Sequence, residues 1–202
     1  FGKEQTARTW QDVNPDLPAT PIRVLGPPPT SGTPDSFNEV LLEKGCATDP
    51  AMKALKDENE DRYKEVCTKI REDGAFVEAG ENDNLLVQKV STDPGALGVL
   101  GYSFLAENRD KVRAVEIDGV VPTEQTIAGL SYPGARKIYI YTKGAHLRAK
   151  PAIREFMAAY GEMARQGGPL QSRGLVPFGG ADAAAAQEQA TGPRPLDAAG
   201  LK

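Results

Sequence analysis

Residues 22–46 read IRVLGPPPTSGTPDSFNEVLLEKGC, and the order of residue types in that stretch decides the architecture. Ile22 to Leu25 form a short β-type run that Gly26 and the prolines at 27, 28 and 29 stop, because proline can continue neither a ladder nor a helix. A polar loop follows. Phe37, Val40 and Leu41 then recur at helical spacing, helix formers continue through Lys44, and Gly45 stands where a C-terminal cap belongs. The stretch predicts a strand, a loop and a helix beginning near Asp35 or Ser36.

Working outward, the same alternation repeats. A helical stretch is expected from about Pro50 to Arg71, broken near Asn59, with Tyr63, Val66, Cys67 and Ile70 on one face. Next come a strand Phe76–Glu78, the turn AGEND, a helix Asn84–Val90, a DPG turn, a strand Leu97–Gly101, a short helix near Phe104–Asn108 and a strand Val112–Ile117. Such alternation argues for a layered α/β domain. A short helix over Thr123–Ala128 precedes RKIYIYTK, whose β-branched and aromatic content predicts a strand over Lys137–Thr142. From Lys150, apolar Ile153, Phe156, Met157 and Tyr160 predict an amphipathic helix, with Pro151 acceptable in its first turn. Residues 1–20 read as a strap anchored by Phe1, Trp10, Val13 and Leu17, and the alanine-rich piece after Pro177 as a surface helix with a frayed end.

Several function classes are excluded by the totals. A net charge of -4 gives no field attractive to polyanions, so nucleic acid is not an expected partner. No apolar run approaches the roughly 18 to 20 residues a membrane span needs. The chain opens on Phe1, which leaves a secretion signal undetermined.

One stretch has the makings of a ligand site: Thr30, Ser31, Gly32 and Thr33, after a strand and before a helix. Successive N–H groups at a helix N-terminus with hydroxyls beside them favour an oxyanion, and glycine lets the backbone approach a ligand closely. Ser-Gly-Thr in that place is more often an ordinary N-cap, and the four residues alone leave both readings open. The lysine and spacing of a phosphate-cradling nucleotide loop are missing. His146, the single histidine, reads as an exposed loop residue with no nucleophile beside it. The acidic residues Asp57, Glu58, Glu60 and Asp61 lack the spacing of a calcium loop and read as a solvated helix face, so no metal and no cofactor is expected. Glu78, Glu81, Asn82, Asp83 and Asn84 lead into a helix and can cap it or line a cleft. Cys46 and Cys67 are either two buried thiols or a bridge; a bridge over that loop would contribute about 3 kcal/mol and imply an exported protein.

Four passages taken together, VLGPPPTSGTPDSFNEVLLEKGC, DGAFVEAGENDNLLVQKV, PGALGVLGYSFLAEN and VVPTEQTIAGLSYPGARKIYIY, resemble the PstS-like phosphate-binding proteins of phosphate ABC transporters. They follow the family's order and cover most of residues 8–178. The resemblance implies a type II periplasmic-binding-protein fold, in which two three-layer α/β/α lobes close over phosphate held by N–H and hydroxyl donors. It implies that Ser31, Gly32 and Thr33, with Thr30 beside them, are the second lobe's phosphate contacts, and that Cys46 and Cys67 are paired. The expected partition is a strap at 1–21, the second lobe at 22–135, a return strand and helix at 136–178 toward a first lobe, and a surface tail at 179–202. The first lobe, which supplies the remaining donors and a carboxylate for the phosphate proton, is expected to be absent, making this an incomplete copy whose return segment has exposed apolar faces that favour self-association.

The function so implied is that of a periplasmic or otherwise extracytoplasmic receptor, not an enzyme, that binds inorganic phosphate and delivers it to membrane permease subunits. The other reading is a degenerate or truncated relative acting as a non-transport phosphate-sensing or interaction module. One departure bears on both: relatives with this loop usually carry arginine after the threonine, where this chain has Pro34.

Overall fold

In the computed structural model residues 1–195 are described, and the chain divides into two compact units that meet in sequence at Gly119 and Val120. The first contains a three-stranded sheet, β1 (Arg23–Gly26), β2 (Phe76–Glu78) and β3 (Ala96–Gly98), with strand order β2-β1-β3 and every pair parallel. Val24 stands opposite Phe76 and Leu97, and Gly26 opposite Glu78.

A central parallel strand is covered on both faces, so it reads as a continuous apolar run instead of an alternating one. Ile22, Val24 and Leu25 are accordingly 7%, 1% and 3% exposed. The helix α6 (Asp83–Ser91) follows β2, having been preceded by α1 (Trp10–Val13), α2 (Gly32–Phe37), α3 (Lys44–Cys46), α4 (Pro50–Glu58) and α5 (Glu60–Thr68). It packs Leu86 against Leu25, Ala79 and Ala96, with Val90 and Leu100 at the margin. Each such side chain stabilises by roughly 1.5–3 kcal/mol for full burial. Side chains alternate across a strand, so Val24 points to the face opposite Leu25.

Between β1 and β2 the chain runs helically without interruption from Gly32 to Cys46, passing from α2 through a π-helical turn at Asn38–Glu43 into α3. Gly45 therefore lies inside the helix and does not end it; Ala47 is the C-cap, and the Thr48 hydroxyl and amide donate to the Gly45 carbonyl. The break expected near Asn59 is present: Asn59 leaves helical geometry and its side chain accepts from the Arg62 amide as the N-cap of α5. Cys46 and Cys67 form a disulfide, Cα–Cα 5.5 Å, that ties the end of α3 to α5.

The strap is fastened by Arg71. That side chain is 3% exposed, its Nη1 donates to the Ala7 carbonyl at 2.8 Å and its Nε to Asp73 at 2.8 Å, with Nη2 completing a two-pronged pair. The strap's backbone adds the Ile22 amide to the Arg8 carbonyl and the Arg71 amide to the Phe1 carbonyl, and the Phe1 ring lies edge-on to Trp10. Thr9 and Asp12 cap α1 reciprocally.

After β3 comes α7 (Tyr102–Glu107). The second unit contains α8 (Glu124–Ala128), α9 (Gly144–Ala149), α10 (Pro151–Ala164) and α11 (Gly180–Thr191). The amphipathic helix expected from Lys150 is α10, and the expected surface helix is α11; the frayed end expected beyond it falls outside the described residues after 195. Helices α10 and α11 approach closely at Gly161, where a Cβ would stand 2.6 Å from the Ala190 Cβ.

Two expected strands do not form. Neither 112–117 nor 137–142 joins a sheet, and Ile138, Tyr139, Ile140 and Tyr141 are 65%, 64%, 44% and 67% exposed. β-propensity measures fit to a half-buried pleated surface, and the sheet of the described residues consists of β1, β2 and β3 alone, with neither segment added to it. The exposure expected of the return segment is thus observed, and Phe156 on α10 is exposed as well.

Two outcomes are expected of this framework. Replacing both Cys46 and Cys67 by serine lowers stability by about 3 kcal/mol, to the same urea midpoint that reduction gives the unaltered chain; an unchanged midpoint refutes the bridge's contribution. The Arg71 hydrogen bond holds the Asp73 carboxyl down to about 2. A depressed folded-state value contributes stability above the unfolded carboxylate range near ~3.9 and loses it as pH falls through about 2. The stability gap between the unaltered chain and Asp73→Asn should therefore be wide at pH 6 and closed at pH 2, as read by urea unfolding.

Candidate functional site

The carboxyl ends of β1 and β2 lie in register, so the loop leaving β1 and the turn leaving β2 emerge side by side. The Ala79 amide donates to the Gly26 carbonyl at 2.8 Å, which fixes the first step of both. In open parallel sheets ligands bind outside the carboxyl ends of the strands. The loop that carries Thr30, Ser31, Gly32 and Thr33 occupies that place.

Within the loop the Ser31 amide donates to the Pro28 carbonyl at 3.0 Å, turning the chain after the prolines. The Ser31 Oγ accepts from the Thr33 amide at 3.3 Å and so begins to cap the helical run, while the Ser36 hydroxyl donates to the Gly32 carbonyl at 2.8 Å. The Gly32 N–H and the Thr33 hydroxyl have no partner among the described residues. Gly32 also has open space where a Cβ would stand. The N-cap of the Ser-Gly-Thr reading is therefore present, and two donors remain over at the mouth of a helix, where the macrodipole favours negative charge.

From the neighbouring turn, Asn82 caps α6, its Oδ1 accepting from the Asn84 amide at 3.0 Å and the Leu85 amide at 3.3 Å. Glu81 does something else. Its Oε1 accepts the Thr30 hydroxyl at 2.8 Å, joining the β2 turn to the β1 loop across 51 positions of sequence. The spacing in AGENDN suggested a cap or a cleft residue without saying which side chain did which; only the register of β1 and β2 separates them. Partial burial pushes the adjacent Asp83 carboxyl up.

Other candidates stay apart from this place. A hollow beside α6 is lined by Arg23, Leu25, Val77, Ala79, Lys89 and Asp93, with Arg23 and Asp93 paired at 3.0 Å, and none of Thr30 to Thr33 reaches it. His146 is exposed on α9, a short helix where a loop was expected. Asp57, Glu58, Glu60 and Asp61 are exposed around the α4–α5 junction, with Glu60 paired to Lys64 at 2.7 Å. Among the described residues no three His, Cys, Asp or Glu side chains gather as metal ligands, and no helix is long and apolar enough to cross a membrane.

The family model for the PBP superfamily domain matches residues 3–159, well over half of the chain. The chain belongs to the PBP superfamily. Among its relatives, the phosphate-binding protein PstS of Staphylococcus saprophyticus is 30% identical over 75% of this chain and 40% of its own length. Protein SphX of Synechococcus elongatus is 31% identical over 86% of this chain and 48% of its own length. A crystal structure of a possible phosphate binding protein from Planctomyces limnophilus superposes with a TM-score of 0.60 at 26% identity, covering all of this chain and 61% of that one. The chain thus spans less than half the length of these two curated PBP relatives, and the α/β architecture with a parallel sheet agrees with the type II fold that the sequence implied.

The cap that separates Asn82 from Glu81 is testable. Asn82→Ala should cost about 1 kcal/mol through loss of the α6 N-cap, whereas Glu81→Gln should leave urea stability within about 0.5 kcal/mol; equal losses in both would refute the assignment.

Proposed function

We propose that this chain is part of a phosphate receptor of the PBP superfamily, located outside the cytoplasm, that binds inorganic phosphate and hands it to the membrane permease subunits of an ATP-driven importer. In this reading residues 22–135 are the second lobe, 136–178 the return toward a first lobe, 1–21 a strap and 179–202 a tail. The phosphate contacts are Ser31, Gly32 and Thr33, with Thr30 at the edge of the set. The observation that carries the reading is the position of free donors, the Gly32 N–H and Thr33 hydroxyl, at the carboxyl end of the central strand β1 and the mouth of a helical run. Similarity to PstS and SphX supports phosphate as the anion.

The chemistry of the site is binding and not turnover. Phosphate held by backbone N–H and hydroxyl groups needs no proton transfer, and membership of the PBP superfamily with similarity to phosphate-binding proteins supports binding over turnover. A non-transport phosphate-sensing or interaction module is the second reading. The exposed run Ile138–Tyr141 with Phe156 favours it, since apolar residues so presented suit association with another protein surface or a second copy.

Isothermal titration of the chain with phosphate, with sulfate as the comparison anion, separates a phosphate-binding role from a pure interaction module. Saturable phosphate heat is expected of a receptor, and none supports the interaction module. Pro34→Arg adds a guanidinium where the sequence resemblance implies one; a charge-assisted hydrogen bond is worth about 1.5–3 kcal/mol, so phosphate affinity should rise about ten- to 150-fold. No gain would refute the assignment of the loop as the anion site.

A further inference from the structure

We propose that Glu81 is a specificity-determining residue of the Ser31–Thr33 donor loop, acting as an electrostatic brake that disfavours doubly charged tetrahedral anions relative to singly charged ones. The proposal rests on the reading of that loop as an anion site and goes beyond it by assigning a residue from a different strand connection. Thr30 has a single O–H to give, and it is given to Glu81 at 2.8 Å. While that bond is made, the Thr30 hydroxyl presents only acceptor lone pairs to a ligand and drops out of the donor set. The carboxylate brought in by the same bond has no ion-pair partner among the described residues, so its charge stands uncompensated beside the loop.

Charge repulsion scales with the product of the two charges. An anion at the Gly32 N–H and Thr33 hydroxyl therefore meets a penalty twice as large when it carries two charges as when it carries one. Sulfate is a dianion throughout the neutral range, whereas phosphate titrates between monoanion and dianion there. Glu81 thereby weakens sulfate more than phosphate without touching either. A carboxylate retained only to hold Thr30 would behave differently, because glutamine offers the same acceptor oxygen for the hydroxyl without the charge.

The test compares the unaltered chain with Glu81→Gln and Glu81→Ala, titrating each with sodium sulfate and with phosphate by isothermal calorimetry at low and at 1 M ionic strength. Both variants should bind sulfate about tenfold tighter than the unaltered chain at low salt and phosphate less than that. The gain should shrink to under about threefold at 1 M, where the screening length falls to about 3 Å. A gain in Glu81→Ala alone, or one that salt does not reduce, would assign Glu81 a tethering role and overturn the brake. If the unaltered chain binds phosphate and Glu81→Gln matches it for both anions, only the brake falls. If the unaltered chain is silent while Glu81→Gln binds sulfate, the brake stands and the phosphate-receptor reading falls. Silence from all three proteins overturns both.

Discussion

Parallel pairing of β1 with β2 and β3 is the constraint from which the remaining structure follows. Parallel strands cannot be joined by tight turns, so the chain has to leave each strand at its carboxyl end, cross the sheet and return. The helical run that starts at Gly32 and ends with α5 makes the first crossing, and α6 makes the second. The first helix of each crossing, α2 after β1 and α6 after β2, then follows the carboxyl end of its strand. That is why a donor loop after β1 and an acidic turn after β2 come within hydrogen-bonding distance although 51 positions separate Thr30 from Glu81. The chemistry of the edge is a product of topology before it is a product of any particular side chain.

The two crossings are held in different ways. The short one relies on packing: α6 buries Leu86 and Val87 almost completely, and Leu86 meets Leu25, Ala79 and Ala96 from all three strands or their extensions. The long one has more chain to order for a similar number of buried side chains, Val40, Tyr63, Cys67 and Arg71, and the disulfide reduces the freedom of its unfolded state. Tyr63 and Lys56 add a second tie near the same place, where Lys56 lies over the Tyr63 ring and pairs with Glu43. The Thr30–Thr33 loop thus lies between a crossing fixed by a dry core and one fixed covalently.

Legibility in the sequence tracked how local the cause was. Strand β1 could be placed because glycine and three prolines terminate it, and the α4–α5 break because Asn59 is a good N-cap in the middle of a helical pattern. The end of the helix near Gly45 was misplaced because the π-helical turn at Asn38–Glu43 changes the residue count per turn, which a fixed period cannot show. Segments 112–117 and 137–142 carry the composition of strands, but a strand also needs a neighbour in register, and composition does not supply one. For the candidate site, the donor loop was visible and its acidic neighbour was visible. Their contact was not, since it depends on Gly26 standing opposite Glu78.

The second unit shows what happens when the pattern is present and the partner is not. Among the described residues of this unit Ala190 and Pro122 are buried, whereas Ile138, Tyr139, Ile140, Tyr141 and Phe156 are open to water. An extended run with that composition presents N–H and C=O groups in a row beside large apolar side chains, and both kinds of group are satisfied together by a strand laid alongside. The family match extends from residue 3 to 159 and so includes this run, which makes it part of the superfamily's domain and not an appendage to it. Exposure here therefore differs in kind from the solvated charges of α4 and α5. Those charges lose little by staying in water, but Ile138 to Tyr141 gain from any surface that offers a ladder.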